Sequence, residues 1–326
     1  MNRSKFLKLM AAAGLGLAIG SSAAFADDYP TRTIRIIAPY PPGGTTDIVA
    51  RLVANGLSKQ TGWTVVVENK AGAGGIVGHD YAAKAAPDGY TIVLGNSAML
   101  AVSVSLFPKL PYNPIKDFAP ITEAAAGPLV LEVKPSLPVH SVKDLLDLAK
   151  KEPGKLNAGI SALGSMHHMT TEVIKYRTGV KWTDVPYKGS GPMLVDLLGG
   201  QVDFAFDNIP SSLPYIKDGK LRAIAVSSPK QTDLLPGIPT LEESGLKGVE
   251  AVAWHGVLAP AGTPEPIIKR LHDEIVKVLN SPDVTAKFKT LGLEAVGNTP
   301  EEFAQFIKDE NVKWAKIAKD ADVKLQ

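Results

Sequence analysis

Residues 33–58 read TIRIIAPYPPGGTTDIVARLVANGLS, and the order of events inside this stretch sets the fold class. Thr33 to Ala38 is a short β-rich run, Pro39 to Thr45 breaks it, and Asp47 to Ser58 carries Ile48, Val49, Leu52, Val53 and Leu57 at helical spacing. The same strand, loop and helix pattern recurs. Thr64 to Glu68 precedes Gly74 to Ala85, Thr91 to Leu94 precedes a short apolar stretch, and Leu129 to Val133 precedes Ser141 to Lys150, with Ser141 as a capping residue. Further on, Leu156 to Ile160 leads to Ser165 to Tyr176, Trp182 to Val185 to Pro192 to Leu198, and Val202 to Phe206 to Pro210 to Lys217, before Leu221 to Val226. Such alternation predicts βαβ units, an α/β fold and mostly parallel sheets. After Pro260 the pattern turns to helices alone, over Pro264 to Leu279, Pro282 to Leu291 and Pro300 to Lys319, each opened by a proline that suits a first helical turn.

The chain has 326 residues, 45% hydrophobic and 21% charged, a globular composition whose length suggests two domains. Zero cysteines exclude disulfides, thiolate nucleophiles, iron–sulfur clusters and cysteine-based zinc sites. The N-terminus carries Arg3, Lys5 and Lys8, an apolar run from Leu9 to Gly20, and the small-x-small pattern Ala24-Phe25-Ala26, which predicts a signal peptide over residues 1–26, cleaved after Ala26. About 12 apolar residues fall short of the ~20 that a bilayer span needs. Removal takes three of the 35 basic side chains and none of the 33 acidic ones, so the remaining 300 residues carry −1. Neither nucleic acid nor an anionic membrane is an expected partner. With no cysteine at the cleavage site to lipidate, a freely diffusing periplasmic monomer is expected.

Four segments after predicted strands are rich in small and hydroxyl residues: 42–47, 95–98, 164–168 and 188–192. In open α/β sheets ligands sit beyond the carboxyl ends of strands, where helix N-termini present N–H groups and a positive dipole end to an anion. The four loops can therefore close on one carboxylate-bearing ligand, or serve as ordinary turns, which want the same residues. Enzyme constellations lack support. Gly72, Gly74 and Val77 miss the dinucleotide fingerprint, no P-loop occurs, and Ser161 lacks the second glycine of a nucleophile elbow. His168 and Glu172 share a helix face but no H-E-x-x-H accompanies them, so a helix-surface or supporting pair is favoured over a metal site. The four tryptophans are expected in cores, with Trp254 also placed to face a cleft.

From Tyr29-Pro30 onward the chain resembles the substrate-binding receptors of tripartite tricarboxylate transporters, the Bug family of periplasmic binding proteins. The resemblance rests on Pro42-Gly43-Gly44-x-x-Asp47 with Ala50-Arg51, on Val67-Glu68-Asn69-Lys70-x-Gly72-Ala73-Gly74-Gly75, and on Pro87-Asp88-Gly89-Tyr90. It continues through Gly164-Ser165-x-x-His168, Val185-Pro186-Tyr187-Lys188-Gly189, Gly199-Gly200-Gln201-Val202-Asp203, and Ala259-Pro260-Ala261-Gly262-Thr263-Pro264.

What the resemblance implies is a type II periplasmic binding fold of two α/β lobes around a central cleft. Lobe 1 takes residues 27–126 and 251–326, and lobe 2 takes 127–250. It implies a receptor, not an enzyme, that captures a small carboxylate without a cofactor or metal and delivers it to a tripartite tricarboxylate-type permease. The alternatives are a receptor feeding a membrane sensor kinase, or an exported hydrolase. Dicarboxylic and aromatic acids are the expected ligands, then amino acids, with Asp207 meeting the ammonium. The implied ligand-binding residues are Pro42, Gly43, Gly44, Thr46, Asp47 and Ser97 on lobe 1, and Gly164, Ser165, His168, Gly189, Ser190 and Asp207 on lobe 2. Asp47 and Asp207 have structural alternatives, as a helix-start residue and a strand end. His167 stands at a position the family leaves variable. It either faces the cleft, where it donates to a second carboxylate or stacks on an aromatic acid, or lies in solvent on the first helical turn, since neighbouring helix residues point about 100° apart.

Overall fold

A computed structural model describes residues 29–107 and 109–323; the expected signal peptide lies outside the described residues. The sequence opens as read. Strand β1 (Ile34–Ala38) runs into helix α1 (Thr45–Thr61), which buries Val49, Ala50, Val53, Ala54 and Leu57 and ends at Gly62 in the left-handed conformation. Then follow β2 (Val65–Asn69), α2 (Ile76–Ala83), β3 (Thr91–Asn96), a π-helical turn at Ala98–Val102 and the short α3 (Ser103–Leu106). Strand β2 pairs with β1 and β1 with β3, all parallel, as βαβ connections require.

The second set is β5 (Asn157–Ile160), α5 (Met166–Thr178), β6 (Thr183–Pro186), α6 (Ser190–Leu198), β7 (Phe204–Asn208), α7 (Ile209–Lys217) and β8 (Arg222–Val226), entered through β4 (Phe118–Val133) and α4 (Val142–Lys151). Here β5 pairs in parallel with both β6 and β7. The chain returns through β9 (Val252–Pro260) to α8 (Glu265–Leu279), α9 (Pro282–Leu291), the two-residue β10 (Glu294–Ala295) and α10 (Pro300–Asp320).

Strand β4 organises both halves. Its 16 residues pair antiparallel with β9 from Phe118 to Pro128, then with β7 from Leu129 to Val133 and with β8 from Val130 to Val133. The full order is β2-β1-β3-β9-β4-β7-β5-β6, with β8 and β10 also on β4. The parallel pairings expected from the alternation are those inside each lobe, and the connecting strands β4 and β9 add the antiparallel ones. Strand β4 therefore runs from the sheet of one half into the sheet of the other, while β9 pairs within the first.

One apolar core packs α1 and α8 over the first half, through Ile34, Ile36, Val53, Leu57, Leu271 and Ile275. A larger one runs from Val93 and Leu106 to Met166, Phe204 and Trp254, so buried contacts continue from one lobe to the other. Trp254 lies in this core, donating through Nε1 to Glu310 at 3.2 Å, and does not face the cleft. Among the described residues, no helix is long and apolar enough to cross a membrane.

Candidate functional site

The carboxyl ends of β1, β3, β5, β6 and β7 converge on a cavity of about 90 Å³. The loop after β1 contributes Tyr40, Pro41, Pro42, Gly44, Thr45 and Thr46, and the end of β3 contributes Asn96, Ser97 and Ala98. The opposite wall is Ser161, Ala162, Ser165, Met166 and His167, then Gly189, Ser190, Gly191 and Pro192, then Asn208, with Ala253 and His255 from β9 between the two sides. A water needs ~10–15 Å³ measured this way, so there is room for roughly six to nine water-sized groups, the bulk of a small organic acid. Among the described residues, no Lys, Arg, Asp or Glu lines the wall.

The lobes approach one another at the rim. A Cβ placed on Gly189 would lie 3.7 Å from Pro41, one on Gly74 3.5 Å from Ala162, and one on Gly164 3.4 Å from both Leu106 and Phe107. These near-contacts bring the two sides together beside the cavity. Gly164 sits at φ 73°, a left-handed turn that suits glycine and brings α5 directly off β5.

Three helices start in this wall without a side-chain cap, α1 after Gly44, α6 after Gly189 and α7 after Asn208. Gly44 precedes α1 with φ −79° and ψ 165°, and Gly189 precedes α6; neither offers a side chain to the first-turn N–H groups. Those groups have no partner inside their own helix, and with the dipole they favour an anion. Helix α5 differs, because Ser165 Oγ accepts from the His168 N–H at 3.2 Å. Three atoms on cavity-lining residues are buried without a hydrogen-bond partner: Thr45 Oγ1, His167 Nδ1 and His255 Nδ1. Leaving such atoms unpaired costs about 1–3 kcal/mol each, which marks the wall as built to meet something polar. Tyr40 is fixed by mutual hydrogen bonding with Asn96, and burial pushes its phenol up to about 12.

Eight of the residues that the sequence suggests border the cavity: Pro42, Gly44, Thr46, Ser97, Ser165, His167, Gly189 and Ser190. Five stand behind it. The Gly43 N–H donates to Asp47 Oδ2 at 3.1 Å, and Asp47 also takes the Arg51 guanidinium (3.0 and 2.8 Å) and the Asn69 amide (2.8 Å), so it fastens the loop as a helix-start residue. Burial would raise its carboxyl, yet these donors hold it below the usual carboxylate range. The Gly164 N–H donates to His168 Nδ1 at 3.1 Å, which turns Nε2 toward Glu172 at 3.5 Å. His168, Glu172 and Asp184 cluster closely enough to suggest a metal, but Lys175 bridges the two carboxylates and supplies the cation itself. Asp207 is fully buried in β7 and accepts from Ser190 Oγ at 2.5 Å and Ser212 Oγ at 3.0 Å, so the expected meeting with a ligand ammonium has no geometry here.

His167 faces inward, in contrast to the solvent alternative: its side chain is 4% exposed. The first turn of α5 lies between the lobes, so Met166, His167 and His168 are all buried despite pointing in different directions. Sequence reasoning missed Tyr40, Asn208 and His255 as wall residues. Asn208 follows Asp207 directly, and the alternation of a strand running on to Asn208 turns the two to opposite sides.

Similarity to known proteins agrees with this geometry. A family model described as "Tripartite tricarboxylate transporter family receptor" matches residues 49–323. The chain is 41% identical over 322 residues to Protein BugT of Bordetella pertussis, covering 98% of this chain and 99% of that protein. Among solved structures it is similar to Rpa4515 of R. palustris with adipate, at TM-score 0.89 and 39% identity over 91% of this chain and 99% of the other. It is also similar to MatC of Rhodopseudomonas palustris with bound malate, at TM-score 0.85 and 32% identity over 89% and 99%. The fold, the interlobe cavity and these matches together identify the chain as a member of the tripartite tricarboxylate transporter receptor family, a Bug-type solute-binding receptor.

Proposed function

We propose that this chain captures a small dicarboxylate in the interlobe cavity, in the periplasm after export, and hands it unchanged to a tripartite tricarboxylate-type permease. The observation that carries this reading is the meeting of two uncapped helix starts, Gly44 from one lobe and Gly189 from the other, at a cavity whose wall has no charged side chain except by protonation of histidine. Two partial positive dipole ends facing one small space favour a ligand with an anionic group at each end. The two similar structures with adipate and malate are consistent with that class. On this reading the two expected lobes, divided at residues 126/127 and 250/251, move as two bodies about β4 and the segment that leads from β8 to β9, and closure follows from contacts made only in the closed state.

A thermal-shift panel of mono-, di- and tricarboxylates, amino acids and aromatic acids, with the ligand recovered and checked by NMR, tests this. A true ligand at 100 times its Kd adds about 2.7 kcal/mol, a rise of roughly 3–5 °C in a protein of this size. No shift anywhere in the panel, or a ligand consumed during incubation, would overturn the reading.

A further inference from the structure

His167 is the one ring in the cavity wall with a carboxylate behind it. Its Nε2 lies 3.3 Å from Asn208 Nδ2 and 3.7 Å from Asp207 Oδ1, while Nδ1 has no partner. The two Nε2 neighbours suit two protonation states. When the Asn208 amide donates to Nε2, the neutral ring holds its proton on Nδ1; when the ring is charged, Nε2–H turns its bond to Asp207 and Nδ1 still donates. Either way Nδ1–H is a donor for which the protein supplies no acceptor.

We propose that His167 takes up a proton from solvent as a dicarboxylate enters the cavity, so that one ligand carboxylate is held by an imidazolium backed by Asp207. This rests on the dicarboxylate-receptor reading and names the residue that sets its selectivity for a second negative charge. The charges around the ring are accounted for. Asp207 comes from β7, and Glu132 from β4 shares Ser212 Oγ with it. Burial first, and Asp207 second, hold the Glu132 carboxyl well above the usual range. On the helix of His167 itself, Glu172 is engaged by Lys175 and faces His168. His255 from β9 is the other histidine of the wall, and burial lowers it to about 4 with no carboxylate to oppose the shift. For His167, burial first lowers proton affinity and Asp207 opposes it. A ligand carboxylate beside Nδ1 adds to the pull of Asp207 and raises that affinity.

The test is isothermal titration with adipate, succinate and malate, and with hexanoate as a one-carboxylate control, in Tris and in phosphate between pH 6.5 and 8. The free acids titrate at ~4–5, like ordinary carboxyl groups, and stay ionised throughout. The expected result is a heat that differs between buffers by up to about one proton taken up per dicarboxylate, with affinity rising as pH falls by up to ~10-fold per unit. In His167→Asn, which keeps a neutral donor, uptake and slope vanish while binding at pH 8 persists; His140→Asn, at an exposed histidine outside the cavity, keeps both. Dicarboxylate binding with no buffer dependence, or a slope that survives His167→Asn, would overturn the proposal alone. No binding by any of the three dicarboxylates would overturn the receptor reading and the proposal with it.

Discussion

Replacing Gly44 by Asp separates helix stability from ligand binding, because the two respond with opposite sign. Gly44 is the residue before α1, its backbone is in the ordinary extended region, and a Cβ added there meets nothing within 4 Å. An aspartate can therefore cap the first turn, worth a few tenths of a kcal/mol over glycine, plus about 0.3–1 kcal/mol from the dipole. The unliganded protein should melt at the same temperature or up to about 3 °C higher. If a ligand carboxylate occupies the same N–H groups, the new carboxylate both takes them and repels it. At ~5.5 Å and an effective dielectric constant near 20, the repulsion is about 3 kcal/mol, a loss of roughly 150-fold in affinity. Gly44→Ser, which caps without charge, should cost only about 5- to 15-fold through the contested hydrogen bond. Differential scanning fluorimetry and titration calorimetry with the strongest carboxylate of the panel read the two quantities separately. Wild-type affinity in Gly44→Asp would refute the placement of a carboxylate at the start of α1, and a fall of many degrees in its melting temperature would refute the open surroundings of this position.

Other perturbations test the frame around the site. Asp47→Ala strips Gly43, Arg51 and Asn69 of their shared acceptor, and should cost about 2–4 kcal/mol and loosen the loop. Because Asp47 is held below its ordinary value, its contribution is present above pH ~4 and lost as pH falls through its folded value, so wild type and variant should converge in melting temperature at strongly acid pH; a constant difference would sink the argument. Glu123 has the opposite sign: burial, then Glu310, raise it to about 7 against an ordinary 4.5, so the folded state holds a proton that the unfolded chain releases. Stability falls as pH rises between those values, by about 2–3 kcal/mol, and Glu123→Gln should melt several degrees above wild type at pH 8 and close to it at pH 5; an equal difference at both would speak against titration. Gly256→Ala would set a Cβ 2.1 Å from Cζ of the fully buried Phe303, costing about 1–3 kcal/mol; Phe303→Leu in the same chain should restore part of that, and failure to do so would locate the strain elsewhere.

The parts of the fold visible in the sequence are those carried by local periodicity. The βαβ stretches and the three proline-led helices after Pro260 stand within a few residues of where the spacing puts them, and the segments 42–47, 95–98, 164–168 and 188–192 each hold a strand end or a helix start. Strand β4 was visible only from Leu129 onward, because Pro120, Gly127 and Pro128 interrupt its first half as they would a loop. Those residues are tolerated where the pairing with β9 shifts register between Pro120 and Thr122 and between Glu123 and Ala125, and near the point where the partner changes from β9 to β7. Strand β9 mixes Trp254, His255 and Gly256, and its pairing with β4 is made across more than a hundred residues, which no short window records. The site divides in the same way. Its backbone loops are legible, since small residues before helices mark them, but side-chain direction is not: ending β7 at Phe206 instead of Asn208 conceals which of Asp207 and Asn208 turns to the cavity.

The division of the wall between lobes has an energetic consequence on the dicarboxylate reading. Each lobe alone offers one glycine-led uncapped helix start, at Gly44 or at Gly189, and an exposed interaction with one dipole end is worth about 0.3–1 kcal/mol, too little to hold an anion against water. Closure excludes water and lets both ends act at low dielectric, so the gain appears only when one ligand reaches both starts. A chain with one carboxylate satisfies one lobe and leaves the other start, together with the unpaired Nδ1 of His167, without an acceptor. Each such deficit costs about 1–3 kcal/mol in the closed state. Hexanoate should therefore bind at least ~10-fold more weakly than adipate of the same chain length, and should raise the melting temperature less at equal concentration. Equal affinities for the two acids would show that closure draws on one lobe's contacts alone, and the two-ended account would fail.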